Sequence, residues 1–272
     1  MAHPQIAAFA RLAEGNARPN RKIEGQKTLL SRTMHALAYD SIHDEIVVPQ
    51  PIPQNILTFR GQARGEEPPL RIIQGSLTQL GHADKLAIDP VNNEILVPQG
   101  EAVLVFPREA NGNVAPIRIL KGPDAFREAA QIAVDPVANL LFVSGETADG
   151  KDGVTIFDRT AQGNAKPRGV IYGPSGHILT YPEKGLLIAV TSVPRHESSP
   201  SLRDENLANN RGYVGVWSIH DRGLVPARWM IGGPDGLLLQ IRGVALDPKN
   251  GTVMISDKRL NSLLTYSFPE IF

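Results

Sequence analysis

The sequence predicts an all-β fold, a five-bladed β-propeller of four-stranded antiparallel blades, and three recurring phrases carry that expectation. The first is 112-GNVAPIRILKG-122, echoed by 15-GNARPNRKIEG-25, 65-GEEPPLRIIQG-75, 163-GNAKPRGVIYG-173 and 222-RGLVPARWMIG-232. The second sets two apolar runs around a Pro, Asn or Gly turn: 36-ALAYDSIHDEIVVPQ-50, 85-KLAIDPVNNEILVPQ-99, 131-QIAVDPVANLLFVSG-145, 177-HILTYPEKGLLIAVT-191 and 243-GVALDPKNGTVMISD-257. The third is short: 56-ILTF-59, 103-VLVF-106, 154-VTIF-157, 214-VGVW-217 and 263-LLTY-266.

Each unit therefore reads as four strands, A (ALAYD), B (EIVVP), C (VLVF) and D (PIRIL), separated by turn residues. The equivalent positions Asp40, Asp89, Asp135, Tyr181 and Asp247 lie 49, 46, 46 and 66 residues apart. Four short strands at that period make a propeller blade, which cannot bury both faces alone and must stack against its neighbours. Helices fit poorly, because the apolar runs are short, rich in Val and Ile, and cut by Pro.

The ends of the chain are out of phase with the repeat. The last unit stops after its C strand, LLTYSF, while a D-type phrase, PNRKIEG, stands alone near the start. The ring closes if that N-terminal strand completes the C-terminal blade, which would remove open edges. Against this, 6-IAAF-9 resembles a further C strand and competes with 263-LLTY-266 for one place. It reads as an overhang, with a partial sixth blade or a helix as alternatives. The whole chain, 1–272, is expected to be a single propeller domain. Blade four carries a long polar insertion at 192–211 that explains most of its wide spacing and reads as a lid-like segment.

Composition bounds the function classes. The chain holds 28 basic and 28 acidic residues with no basic stripe, so the footprint of a nucleic-acid binder is missing. It has no cysteine, which removes disulfides, thiol nucleophiles and thiolate metal sites. No apolar run approaches the roughly 18–20 residues of a membrane span, so no membrane insertion is expected. The first residues, MAHPQIAAFARLAEG, do not read as a signal peptide, and the compartment stays open, export of a native form included. The oligomeric state is not legible.

The pattern GN-x-x-P-x-R-x-I-x-G followed by A-x-D-P-x-x-N-E-I-x-V resembles bacterial propellers of the NHL-repeat and lactonase-like superfamily. That resemblance implies the fold over nearly the whole chain, though the repeat here is longer than a typical NHL unit. For activity it implies a range: lactonases, lyases, phosphotriester hydrolases and non-enzymatic binding modules. Calcium-dependent members use acidic and asparagine ligands around the channel. This chain offers histidines there, so calcium does not carry over.

Chemistry is expected where the repeats disagree. The loops entering A lie on one face with the B-to-C loops, where propellers gather binding residues. They read 31-SRTMHA-36, 80-LGHADK-85, 127-REAAQ-131, 174-PSGHI-178 and 239-LQIRG-243. His35, Asp84 and Arg242 share one register, and Lys85, Gln131 and His177 the next. His35, His82, His177 and Asp84 are the candidate ligands of a divalent metal, zinc or manganese before calcium, or the acids and bases of a metal-free site. Lys85 and Arg242 would stabilise developing negative charge. Gln50, Gln99, Gln131, Glu146, His196 and Asp257 are candidates for holding a small-molecule substrate or ligand.

Each of these also has a plainer reading. Histidines at a polar rim often only bond neighbours and water, and residues at B-strand ends often serve loop backbone. The acidic stretch 145-GETADGKDG-153, with Glu146, Asp149 and Asp152, would suit a hard cation but lacks the ordered calcium-loop pattern, so a solvated turn fits it better. The nucleophile elbow, H-E-x-x-H, phosphate loop and dinucleotide fingerprint are all absent. The expectation is thus a hydrolase of small esters, lactones or phosphotriesters. The alternatives are a binding propeller and a metal-free lyase.

Overall fold

A computed structural model describes residues 4–191, 212–232 and 236–272. The protein is an all-β propeller of five blades. Blade one runs β3 (Ala38–Asp40), β4 (Glu45–Gln50), β5 (Asn55–Arg60), β6 (Arg71–Gln74). Blade two follows with β7 (Ala87–Asp89), β8 (Glu94–Gln99), β9 (Ala102–Pro107), β10 (Arg118–Lys121). Blade three has β11 (Phe126–Asp135), β12 (Leu140–Thr147), β13 (Asp152–Asp158), β14 (Gly169–Tyr172). Blade four has β15 (Ile178–Tyr181), β16 (Leu186–Thr191), β17 (Tyr213–Ser218), β18 (Trp229–Gly232). These four are complete antiparallel sheets in A–B–C–D order. The fifth holds β19 (Ile241–Asp247), β20 (Thr252–Asp257) and β21 (Ser262–Ser267).

The N-terminal D-type strand, β2 (Arg21–Glu24), does not make the pairing expected for ring closure. It bonds β1 (Gln5–Ala8), with Ile6 opposite Ile23 and Gln5 opposite Glu24. The segment 6-IAAF-9 therefore contributes a C-type strand to a two-stranded sheet and is not an overhang.

By contact density the chain divides into two compact units, Met1–Gln99 with Val103–Ile119 and Gly100–Ala102 with Leu120–Phe272. In the first, Ile23, Ile46, Val48, Leu57, Phe59 and Ala63 form a buried cluster. In the second, one cluster gathers Phe142, Ile156, Ile171, Leu187 and Trp217, and another gathers Ile188, Val216, Leu238, Val253 and Ile255. The alternation of the strands buries these side chains because successive residues face opposite sides of a sheet.

The repeated phrases have identifiable tasks. Asp40, Asp89 and Asp135 are buried, and each uses one carboxylate oxygen to cap the A-to-B turn: Asp40 accepts from Ile42 and His43, Asp89 from Asn92, Asp135 from Val137 and Ala138. The Gly of the GN phrase clips one blade to the preceding D strand. Gly65 donates to Lys22 O at 2.8 Å and accepts from Glu24 N at 3.0 Å. Gly223 does the same with Val170 and Tyr172 at 2.7 and 3.0 Å. Both glycines sit at positive φ, 59° and 80°, where a side chain would be strained. The following Asn completes the clip: Asn113 Oδ1 accepts from Leu77 N at 2.8 Å, and Asn164 Oδ1 from Asp124 N at 2.9 Å.

Candidate functional site

The loops entering the A strands of blades one and two are built alike. A 3-10 turn, Gln26–Thr28 or Ser76–Thr78, ends on a left-handed residue, Leu29 or Gln79. Thr28 and Thr78 donate their hydroxyls to Gly25 O and Gly75 O at 2.6 Å, closing each turn. The glutamine ending strand B then fixes the loop. Gln50 Nε2 donates to Leu29 O at 3.1 Å and to Asn55 Oδ1 at 2.8 Å, while its oxygen accepts from Ser31 N. Gln99 repeats this, donating to Gln79 O at 2.8 Å and accepting from Gly81 N at 2.5 Å. Gln50 is fully buried. Its amide is committed to backbone and to Asn55.

These pinned loops bring three of the expected site residues together. His35 Nδ1 lies 3.0 Å from Asp84 Oδ2, and Lys85 Nζ lies 3.5 Å from the same oxygen. The His35 side chain is 55% exposed and that of Lys85 only 17%, so the imidazole meets solvent and the ammonium is tucked beside the carboxylate. Burial alone would raise the Asp84 carboxyl. The hydrogen bond with His35 and the charge of Lys85 outweigh it and hold the group below the usual carboxylate range. In the tautomer that carries its proton on Nδ1, His35 donates to Asp84 and presents Nε2 as an acceptor. His82, two residues before Asp84, is exposed.

The metal expectation fits this donor set poorly. Asp84 is already engaged by an imidazole and an ammonium, and a cation placed there would face the charge of Lys85. Among the described residues no three His, Asp or Glu side chains gather as a metal group.

The remaining expected residues lie in the second unit. His177 and Arg242 stand on the loop before β15 and on β19, with Arg242 exposed. Gln131 sits in β11 opposite Ser144. Asp257 performs the task of Gln50 and Gln99 in another chemistry: Oδ2 accepts from Leu239 N and Gln240 N at 2.7 and 2.8 Å, Oδ1 from Arg259 N and Leu260 N at 2.9 and 3.0 Å. Burial would raise its carboxyl, but these four backbone donors together pull it below the ordinary value.

The acidic stretch of blade three is served by its own cations. Glu146 lies 3.3 Å from Arg127, and Asp149 accepts from the Thr147 hydroxyl and pairs with Lys151 at 3.0 Å. The Thr147 hydrogen bond first, and Lys151 next, lower the Asp149 carboxyl to about 2. His196 and the rest of the 192–211 insertion lie outside the described residues. The shared arginines have structural tasks: Arg21 donates to Gly61 O and Ala63 O, Arg71 pairs with Glu45, and Arg118 grips Glu94 through two nitrogens.

Comparison with known proteins shows the fold. No family model and no curated protein matches the sequence. Among solved structures, Kuenenia stuttgartiensis hydrazine synthase aligns with a TM-score of 0.61 at 13% identity over 85% of this chain, which spans 64% of that one. A chain of the mitotic checkpoint complex aligns with a TM-score of 0.58 at 12% identity, covering 93% of this chain and 67% of its own. At such identities the likeness is one of propeller architecture alone. No helix among the described residues is long and apolar enough to cross a membrane.

Proposed function

We propose that the chain is a hydrolase of small esters, lactones or phosphotriesters, acting on the face that carries His35, Asp84 and Lys85. The observation that supports it is the 3.0 Å contact between His35 Nδ1 and an Asp84 held ionised. A carboxylate that orients an imidazole by one nitrogen leaves the other to take a proton from attacking water, as in triad chemistry. Water oxygen then bonds the acyl or phosphoryl centre, its proton passes to Nε2, and the imidazolium returns it to the departing oxygen. Lys85 supplies fixed positive charge beside the pair for the developing oxyanion. The NHL and lactonase-like resemblance of the repeat includes this reaction class among the several it implies.

The test is hydrolysis of 4-nitrophenyl acetate, γ-butyrolactone and a phosphotriester by the full chain, with and without chelator. His35→Gln is expected to lower kcat by about 100-fold, with chelation leaving the rate unchanged. Activity lost to chelator would restore the metal-assisted reading. Equal rates for wild type, His35→Gln and Asp84→Asn would sink the assignment.

The second reading is a non-catalytic binding propeller. It is favoured by the openness of the pair, with His35 more than half exposed, and by a structural neighbour drawn from a multi-protein complex.

A further inference from the structure

At one junction the glycine clip keeps both backbone hydrogen bonds but lacks the side chain that covers the preceding glycine, and the repeat positions around that gap change character together. At three junctions a side chain covers the glycine ending the D strand. A Cβ built on Gly25, Gly75 or Gly122 would come within 2.4, 2.5 or 2.3 Å of Glu66, Asn113 or Asn164 respectively. At Gly173, which ends β14, it would meet nothing within 4 Å. The residue in the covering register there is Leu224, and it is 84% exposed.

Two neighbours depart from the repeat in the same direction. Tyr172 stands where the other D strands carry Glu24, Gln74, Lys121 and Gly232. Tyr213 stands in the register that the other C strands fill with Asn55, Ala102, Gly153 and Ser262. Trp217 replaces the phenylalanines Phe59, Phe106 and Phe157, and its indole N–H is satisfied by Val225 O at 3.1 Å. Together with Leu224 and Pro226 these residues line a cavity of about 370 Å³ on the outer strands of blades three and four.

We propose that this cavity is a second binding site, built from none of His35, Asp84 or Lys85, for a small neutral molecule built on one or two apolar rings with a hydroxyl. The volume lies at the small end of ligand pockets, which run roughly 300–1,000 Å³. Its walls carry aromatic and aliphatic surface and no ionisable group other than the two tyrosines. Asp149 and Lys151, beside the Tyr172 ring, are paired with one another. A charged ligand would lose hydration there without gaining a partner. A neutral ring gains apolar contact, and Tyr213, as a lining residue, brings a hydroxyl able to bond a polar substituent.

The experiment is a titration of the full chain with 2-naphthol, indole and cyclohexanol, followed through the indole N–H resonances of Trp217 and Trp229. Trp217 lines the cavity and Trp229 does not, so the second serves as an internal control. At least one probe should shift Trp217 saturably and leave Trp229 in place. Leu224→Asn restores the residue the repeat carries elsewhere, at an exposed position, and should weaken binding at least tenfold without changing the unfolding midpoint. Tyr213→Asn should do the same. No saturable shift from any of the three probes, or unaltered affinity in Leu224→Asn, would overturn the proposal.

Discussion

Gln50, Gln99 and Asp257 occupy one repeat position and hold the loop entering strand A by matching backbone groups on it. Replacing Gln50 by Ala removes a fully buried side chain and leaves Ser31 N, Leu29 O and Asn55 Oδ1 without their partner, the last of these in a buried bond and the other two partly buried. The expected cost is about 3 kcal/mol, read from urea unfolding. Asp257 adds a pH signature. Its folded carboxyl lies below the ordinary value, so its contribution is complete above the unfolded pKa and fades as pH falls through the folded one. Asp257→Asn should therefore destabilise by about 2 kcal/mol at pH 7 and by much less near the acid end. A constant difference from pH 7 to pH 2 would contradict the linkage. The sequence showed where these three residues fall in the repeat, but not which way their polar atoms turn. For His35 and Asp84 the shared register placed both on one face. Only the pinned loops of blades one and two bring their side chains to hydrogen-bonding distance.

At the scale of single elements, the clip couples a glycine in one blade to a side chain in the next. Gly75 sits at φ 128°, and a Cβ there would lie 2.5 Å from Asn113. Gly75→Ala is expected to cost about 2–3 kcal/mol, part as backbone strain and part as collision. In the double variant Gly75→Ala/Asn113→Ala the two contacts at 2.5 Å to the Asn113 amide are removed, while the 2.8 Å approach to the Cβ of residue 113 and the backbone strain persist. The two changes should thus combine to less than the sum of their separate costs, by about 1 kcal/mol. Strict additivity in chemical denaturation would show that the contact carries no energy. The strands were legible because the repeat aligns Val- and Ile-rich runs five times over. The strand β1 was not, because a four-residue apolar run without a repeat partner of its own fits an overhang, a helix or a strand equally well.

At the scale of the molecule, the sequence supplies five A strands but leaves the ends out of phase, and the structure resolves the mismatch in an uneven way. In blades one to four the C strand lies between B and D, and β5, β9 and β17 are buried along most of their length. The C strand of the last blade, β21, has β20 on one side and no D strand in its sheet. Leu263 is 68% exposed, and the strand alternates between exposed and half-buried residues. An edge strand in an antiparallel pair turns every second N–H away from its only partner. Hydrogen exchange should therefore divide the amides of β21 into two alternating classes. One would be slowed by β20, and the other would exchange nearly as fast as an open loop. The amides of β5, β9, β13 and β17 should be slow on both edges, because opening them requires separating two ladders at once. Slow exchange at every β21 amide would mean that another strand covers that edge in solution, as the five-fold repeat of the D phrase leads one to expect. Alternation would show the edge to be open, and shortening the hairpin of β1 and β2 should then leave the exchange of β21 unchanged.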